Sequence, residues 1–196
     1  MLSLEGFIHN SSLISLLVLL WLSIYFIVTF WIFFYKFFLL KTAFNKEKDS
    51  LDAILTGKAM TPSDSLFQKI TKKPSKELLL VWRSQVQKRI STGLVVLSII
   101  SSTAPFIGLF GTVVEILDAF GRLGSGGQVA FDVIAPVISQ ALIATAAGIL
   151  VAIPAYSFFL MLKRKAYDIS VFVQMQIDIL STEKRTAIDK GVNIGQ

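Results

Sequence analysis

The sequence predicts an all-α integral membrane protein. It has three transmembrane helices, the N-terminus outside, the C-terminus in the cytoplasm, and long helical cytoplasmic extensions. Three observations carry that prediction. The chain of 196 residues is 54% apolar and only 16% charged, against about 45–50% and 25% in soluble domains. No Asp, Glu, Lys or Arg occurs in 6–35, 90–114 or 133–162, and each run exceeds the roughly 20 residues a helix needs to cross a bilayer. The charges between the runs are lopsided. Residues 36–89 hold 12 Lys or Arg against 5 acids, and 163–196 hold 6 against 4, whereas 115–132 holds one basic residue, Arg122, and three acids. Positive-inside bias places the first two segments in the cytoplasm and the third outside. An odd number of spans requires opposite sides for the termini, and the charge count supplies them.

In chain order, residues 1–12 are a periplasmic N-terminus and 13–35 the first transmembrane helix. The helix lacks the basic start and the small-x-small cleavage site of a signal peptide, so it reads as an uncleaved anchor. Its aromatic surface, with Trp21, Tyr25, Trp31 and Tyr35 among many Phe, predicts a lipid-facing helix polar only at Ser15, Ser23 and Thr29. Residues 36–89 are a cytoplasmic helical segment. Short helices are expected at 46–56 and 63–72, with breaks at Gly57, Pro62 and Pro74. After Pro74 a continuous helix is expected from 75 to 120, roughly 70 Å at 1.5 Å per residue, with 90–117 as the second transmembrane helix. Residues 118–132 form a periplasmic loop whose Gly124-Ser-Gly-Gly127 is a turn, not a phosphate cradle, since no strand precedes it and no Gly-Lys-Ser follows. The third transmembrane helix spans 133–162, and 163–196 form a C-terminal cytoplasmic helix and tail, helical to about residue 182. Ile169, Phe172, Val173, Met175, Ile179 and Leu180 make that extension apolar enough to need partner helices, which predicts a homo-oligomer.

Composition excludes several chemistries. There is no cysteine and a single histidine, His9, so neither a thiolate nor a His-cluster metal site is expected, and no cofactor. No second membrane acid or histidine completes a catalytic dyad or triad beside Glu115, so no catalytic residue and no enzyme is expected. The net charge of +6 is accounted for by membrane orientation rather than by nucleic acid.

Small residues repeat every fourth position on the second and third spans: Ala104, Gly108 and Thr112, then Ala144, Gly148 and Ala152. Such stripes let helices approach closely in lipid. Beside them lie Gly111, Thr112, Glu115, Gln140 and Thr145, a polar seam that reads as an ion path or a groove for a partner helix. Glu115 lies at the outer end of its span, where it either reaches water, pairs with Arg122, or joins the seam. Pro105, Pro136 and Pro154 each remove a backbone donor and serve either as fixed kinks or as hinges.

The stretch Ser102-Thr-Ala-Pro-Phe-Ile-Gly-Leu-Phe-Gly-Thr-Val-Val114 closely resembles the second-span motif of the TolQ/ExbB/MotA proton-channel family, nearest the TolQ and ExbB branch. Ala135-Pro-Val-Ile-Ser-Gln-Ala-Leu-Ile-Ala-Thr-Ala-Ala-Gly-Ile-Leu-Val-Ala-Ile-Pro-Ala155 resembles its third-span motif. The resemblance implies a multi-pass protein of the bacterial inner membrane that assembles as a ring, a pentamer. The second and third spans would line a pore holding a single-span TolR/ExbD-like partner with an essential aspartate. Proton flow would move that partner and so act on a TolA/TonB-like protein. It further implies that Thr112 and Thr145 line the pore, where hydroxyls that both donate and accept can serve either protonation state of the partner carboxyl. Two positions depart from the family pattern. Gln140 stands where a glutamate is common, and Val114-Glu115 where Trp-Gly is common. One expectation is that Glu115 supplies the acid missing at 140; the other is that Glu115 merely faces water. The 36–89 segment is also shorter than is usual in the family. A passive membrane scaffold without ion conduction is the alternative function.

Overall fold

The computed structural model describes residues 13–56, 76–123 and 131–192, and among these described residues it contains four α-helices. They are α1 (Leu13–Thr56), α2 (Lys76–Ser91), α3 (Leu94–Leu123) and α4 (Phe131–Val192). Three helical stretches, in Ile14–Ala53, Glu77–Gly121 and Ile134–Thr182, are long and apolar enough to cross a membrane. The helix expected at 63–72, the Gly124–Gly127 turn and the N-terminal dozen residues lie outside the described residues.

Two expectations about helix ends are corrected. The segment 46–56 is not a separate helix but the end of α1, which runs unbroken for 44 residues. Nothing between Tyr35 and Thr56 demands a break, since that stretch has neither Gly nor Pro. Conversely, the helix expected from 75 to 120 is interrupted at Thr92–Gly93, where Gly93 takes φ 88°. Thr92 closes the preceding helix by donating both its N–H (3.1 Å) and its hydroxyl (2.6 Å) to the Lys88 carbonyl. The Gly93 carbonyl then accepts the Leu97 N–H at 3.3 Å to start the next helix. Only glycine occupies this left-handed region freely. Gly93→Val should therefore lower the thermal midpoint of the detergent-solubilised protein by an amount equivalent to about 1–2 kcal/mol, and Gly93→Asn by less. The three prolines behave differently: α3 continues through Pro105, and α4 through Pro136 and Pro154.

The chain divides into two compact units. Among the described residues, the first contains 13–34, 93–123 and 131–160, that is, the start of α1, α3 and the first half of α4. Val18 and Leu22 of α1 meet Ile100 and Ala104 of α3, and Ala144, Val151, Ala152 and Ala155 of α4. The Phe33 ring stacks on Phe158 at 3.9 Å, and Phe30 meets it edge-on at 5.3 Å. The opposite side of α1 is left open, with Trp31 74% exposed and Trp21, Ile27 and Phe34 also outside. That side matches the lipid-facing expectation. The polar side does not, because Ser15 and Thr29 are buried. Their alignment with Val18, Leu22 and Tyr25, at alternating spacings of three and four, puts them on the packed stripe of α1.

The second unit contains, among the described residues, 35–56, 76–92 and 161–192. Leu40, Leu79, Trp82, Ile90, Leu162, Ile169 and Val173 are buried. Three polar contacts fix its helices. Buried Lys36 donates Nζ to the Arg89 carbonyl at 3.0 Å, placing a cation at the carbonyl-rich end of α2. Gln176, fully buried, donates Nε2 to the Glu47 carbonyl at 2.9 Å and to Glu47 Oε2 at 3.2 Å. Lys165 sits 4.0 Å over the Phe37 ring, a cation–π contact.

Candidate functional site

The site lies in the first unit, where α3 and α4 run antiparallel at close approach. A Cβ built on Gly108 would fall 2.6 Å from the Ala144 carbonyl oxygen and 3.0 Å from the Thr145 Cα. One on Gly148 would fall 2.6 Å from the Ala104 carbonyl oxygen and 3.2 Å from the Gly108 Cα. At both points backbone meets backbone. Gly111 faces the Ala144 methyl and the Val18 side chain, with 3.2 Å and 3.1 Å left for a Cβ. Ala104, Ala144 and Ala152 are buried along the same seam, Pro105 is half-buried and Pro136 exposed.

This proximity brings Thr112 and Thr145 together. The Thr112 hydroxyl, on a residue only 8% exposed, donates to the Ala141 carbonyl across the pair at 3.0 Å, or to the Gly108 carbonyl of its own helix at 3.3 Å. Thr145 donates to the Gly108 carbonyl across the pair at 3.3 Å. The two hydroxyls also bond each other. Each hydroxyl has one proton to give and two lone pairs. If Thr145 donates to Thr112, Thr112 donates to a carbonyl; if Thr112 donates to Thr145, Thr145 donates to Gly108. The same heavy atoms thus hold a hydroxyl chain in either direction.

Glu115 lies three residues beyond Thr112 on the same face of α3. It is 5% exposed, and its Oε2 has no hydrogen-bond partner among the described residues. Most of this side chain is covered within the chain, Oε2 completely. Gln140 is half-buried and precedes Ala144 by one turn on the α4 seam. Among the described residues, no three His, Cys, Asp or Glu come together to hold a metal.

Residues 46–175 match the model of the MotA/TolQ/ExbB proton channel family. The chain belongs to this family. A putative biopolymer transport protein ExbB-like 1 of Helicobacter pylori strain J99 is 59% identical over 186 residues, covering 93% of this chain and 98% of that protein. The biopolymer transport protein ExbB of Neisseria gonorrhoeae is 46% identical over 81 residues, 41% of this chain and 37% of that protein. That of Xanthomonas campestris pv. campestris strain B100 is 40% identical over 74 residues, 36% and 29%. These relatives are consistent with the TolQ/ExbB branch and support an energy-transducing role of that type. The family is one of proton channels rather than enzymes.

The sequence shows Ser15 and Thr29 as polar points of a lipid-facing helix but not as buried ones, because large apolar residues surround them on every side of that helix. Their signal was the 3-4-3-4 spacing of Ser15, Val18, Leu22, Tyr25 and Thr29, which points inward only once the packed stripe is known.

Proposed function

We propose that the chain is the proton-channel subunit of an ExbB- or TolQ-type complex in the bacterial inner membrane. It couples the proton-motive force to movement of a single-span TolR/ExbD-like partner, and through a TolA/TonB-like protein to outer-membrane transport or envelope integrity. In this reading the spans are 13–35, 90–117 and 133–162, with 1–12 and 118–132 periplasmic and 36–89 and 163–196 cytoplasmic. Copies of the chain form a ring, a pentamer, around the partner. The single observation that carries the proposal is the hydrogen-bonded hydroxyl pair Thr112–Thr145, set where α3 and α4 touch backbone to backbone. Thr112, Thr145, Glu115 and Gln140 serve the ion path. Ala104, Pro105, Gly108, Gly111, Pro136, Ala144, Gly148 and Ala152 pack the helices around it.

Ring assembly is supported by what one chain leaves uncovered. In the most apolar windows of the three spanning stretches only 17%, 28% and 22% of the residues are buried. Phe106, Phe110 and Leu117 of α3 and Leu142, Leu150 and Ile153 of α4 are all exposed. Lipid and neighbouring copies together cover such a surface.

The scaffold reading has one observation in its favour, since both threonine hydroxyls already have partners within the chain. Affinity purification of the full-length chain from its own membranes separates the readings. The channel reading expects a short protein with one span and an aspartate near its start to co-purify. It also expects transport across the outer membrane to stop both on deletion of the chain and on addition of a protonophore. Transport that needs the chain but survives the protonophore overturns it.

A further inference from the structure

Register marks tie together the levels of three helices in the first unit. Across the antiparallel pair α3/α4, Gly108 lies against Ala144 and Thr112 reaches Ala141. Helix α1 runs parallel to α4, since Val18 shares the surroundings of Gly111 with Ala144, and Phe33 stacks on Phe158 further along both helices. One turn from the Val18, Gly111 and Ala144 level, away from the Phe33–Phe158 stack, α1 carries Ser15, α3 carries Glu115 and α4 carries Gln140. All three helices therefore contribute a polar residue to one layer, at the end that the charge map places outside. Ser15 is 2% exposed and Glu115 5%, and Oε2 of Glu115 lacks a hydrogen-bond partner.

We propose that Glu115 is the chain's own proton-exchanging carboxyl, seated in a three-helix polar layer with Ser15 and Gln140. The purpose of this site rests on the proton-channel reading above; its protonation does not. A carboxylate without a cation or donors is costly to bury, and within a span it marks a functional position. Among the described residues, the spanning parts of α1 and α4 offer no cation to offset it. The only titratable group of the first unit's α1 between residues 13 and 34 is Tyr25, and the only one of α4 between 134 and 160 is Tyr156, both well below the layer. On α3 itself, Asp118 lies exposed one turn further out, with Arg122 beyond it in sequence. A neutral amide and a hydroxyl suit a group that changes charge, because each can donate to a carboxylate or accept from a carboxylic acid. In the step itself, the Glu115 carboxylate takes a proton from outside water to form an O–H bond. It later returns that proton to water or to a carboxylate on a partner helix. The Thr112–Thr145 pair begins one turn further in.

The test is infrared difference spectroscopy of the full-length chain in lipid nanodiscs, between high and low pH. The wild type should show a carboxylic-acid C=O band that Glu115→Gln loses. Gln140→Leu should retain the band at a shifted frequency, because it removes a neighbour and not the carboxyl. The double variant Glu115→Gln/Gln140→Glu should recover the band, since positions 115 and 140 lie level across the helix pair. Identical spectra for wild type and Glu115→Gln overturn the proposal, as does a Glu115 band indifferent to Gln140→Leu. Loss of the band on replacing K+ by Na+ at fixed pH overturns it in favour of a cation site. None of these spectra requires the partner or transport, so their failure is distinct from failure of the channel reading.

Discussion

Gly148→Val is expected to abolish function and to destabilise the protein at the upper end of the overpacking range, about 3 kcal/mol. A Cβ at this position would meet the Ala104 carbonyl oxygen at 2.6 Å, and the next atoms in line are the Gly108 Cα at 3.2 Å and the Ala104 carbonyl carbon at 3.4 Å. No flexible side chain is present to give way, so α3 and α4 must separate. Separation also lengthens the Thr112–Ala141 and Thr145–Gly108 bonds, which exist only because the helices touch. Gly108→Val should act alike, with the Ala144 carbonyl oxygen at 2.6 Å. Even Gly→Ala at either position should be destabilising, although alanine is by propensity the better helix former by about 1 kcal/mol. Gly121→Ala is the internal control. Nothing lies within 4 Å of its would-be Cβ, so the same substitution there should be neutral or raise the thermal midpoint. Thermal unfolding in detergent, read beside growth of cells relying on the variant, checks all five. Equal behaviour of Gly148→Ala and Gly121→Ala would mean that helix contact at the seam does not limit stability.

The contrast between these glycines shows what a sequence pattern can and cannot reveal. The i, i+4, i+8 stripes of Gly108 and Gly148 were legible because helical periodicity aligns them, and close packing in lipid has few other solutions. Gly121 and Gly93 share the residue type but not the stripe. The break at Gly93 went unseen because glycine is common inside membrane helices and only its φ declares a turn. Likewise Thr112 and Thr145 were visible as polar groups, but their contact depends on the offset between two helices, which no single helix encodes. Glu115 was open to a solvent-facing reading because its distance from the end of the span said nothing about α1. Ser15 and Glu115, both buried, lie one turn from the point where Val18 of α1 meets Gly111 of α3. The lateral position of α1 is set by shape, not by periodicity.

Replacing Thr112 and Thr145 by valine, singly and together, should cost far more function than stability. Valine keeps the branched shape, so no cavity opens. The carbonyls of Gly108 and Ala141 keep their own helix's N–H donors, so neither is orphaned. Loss of one interhelical hydrogen bond in lipid is worth about 0.6 kcal/mol on average, a small shift in the thermal midpoint. Function has a different dependence if the hydroxyls act as a reversible chain, because removing either one breaks the chain in both directions. Each single variant should then lose at least roughly tenfold in proton-dependent transport, equivalent to about 1.4 kcal/mol, and the double variant should lose little more. Thr112→Ser and Thr145→Ser, which keep the hydroxyl, should retain most activity. A scaffold behaves otherwise. There the two valines add independently, the functional loss follows the thermal midpoint, and serine offers no advantage over valine. A double-mutant cycle on transport rate, run beside a second cycle on stability, separates these outcomes. Strong coupling in the first with weak coupling in the second assigns the threonine pair to proton movement rather than to helix packing.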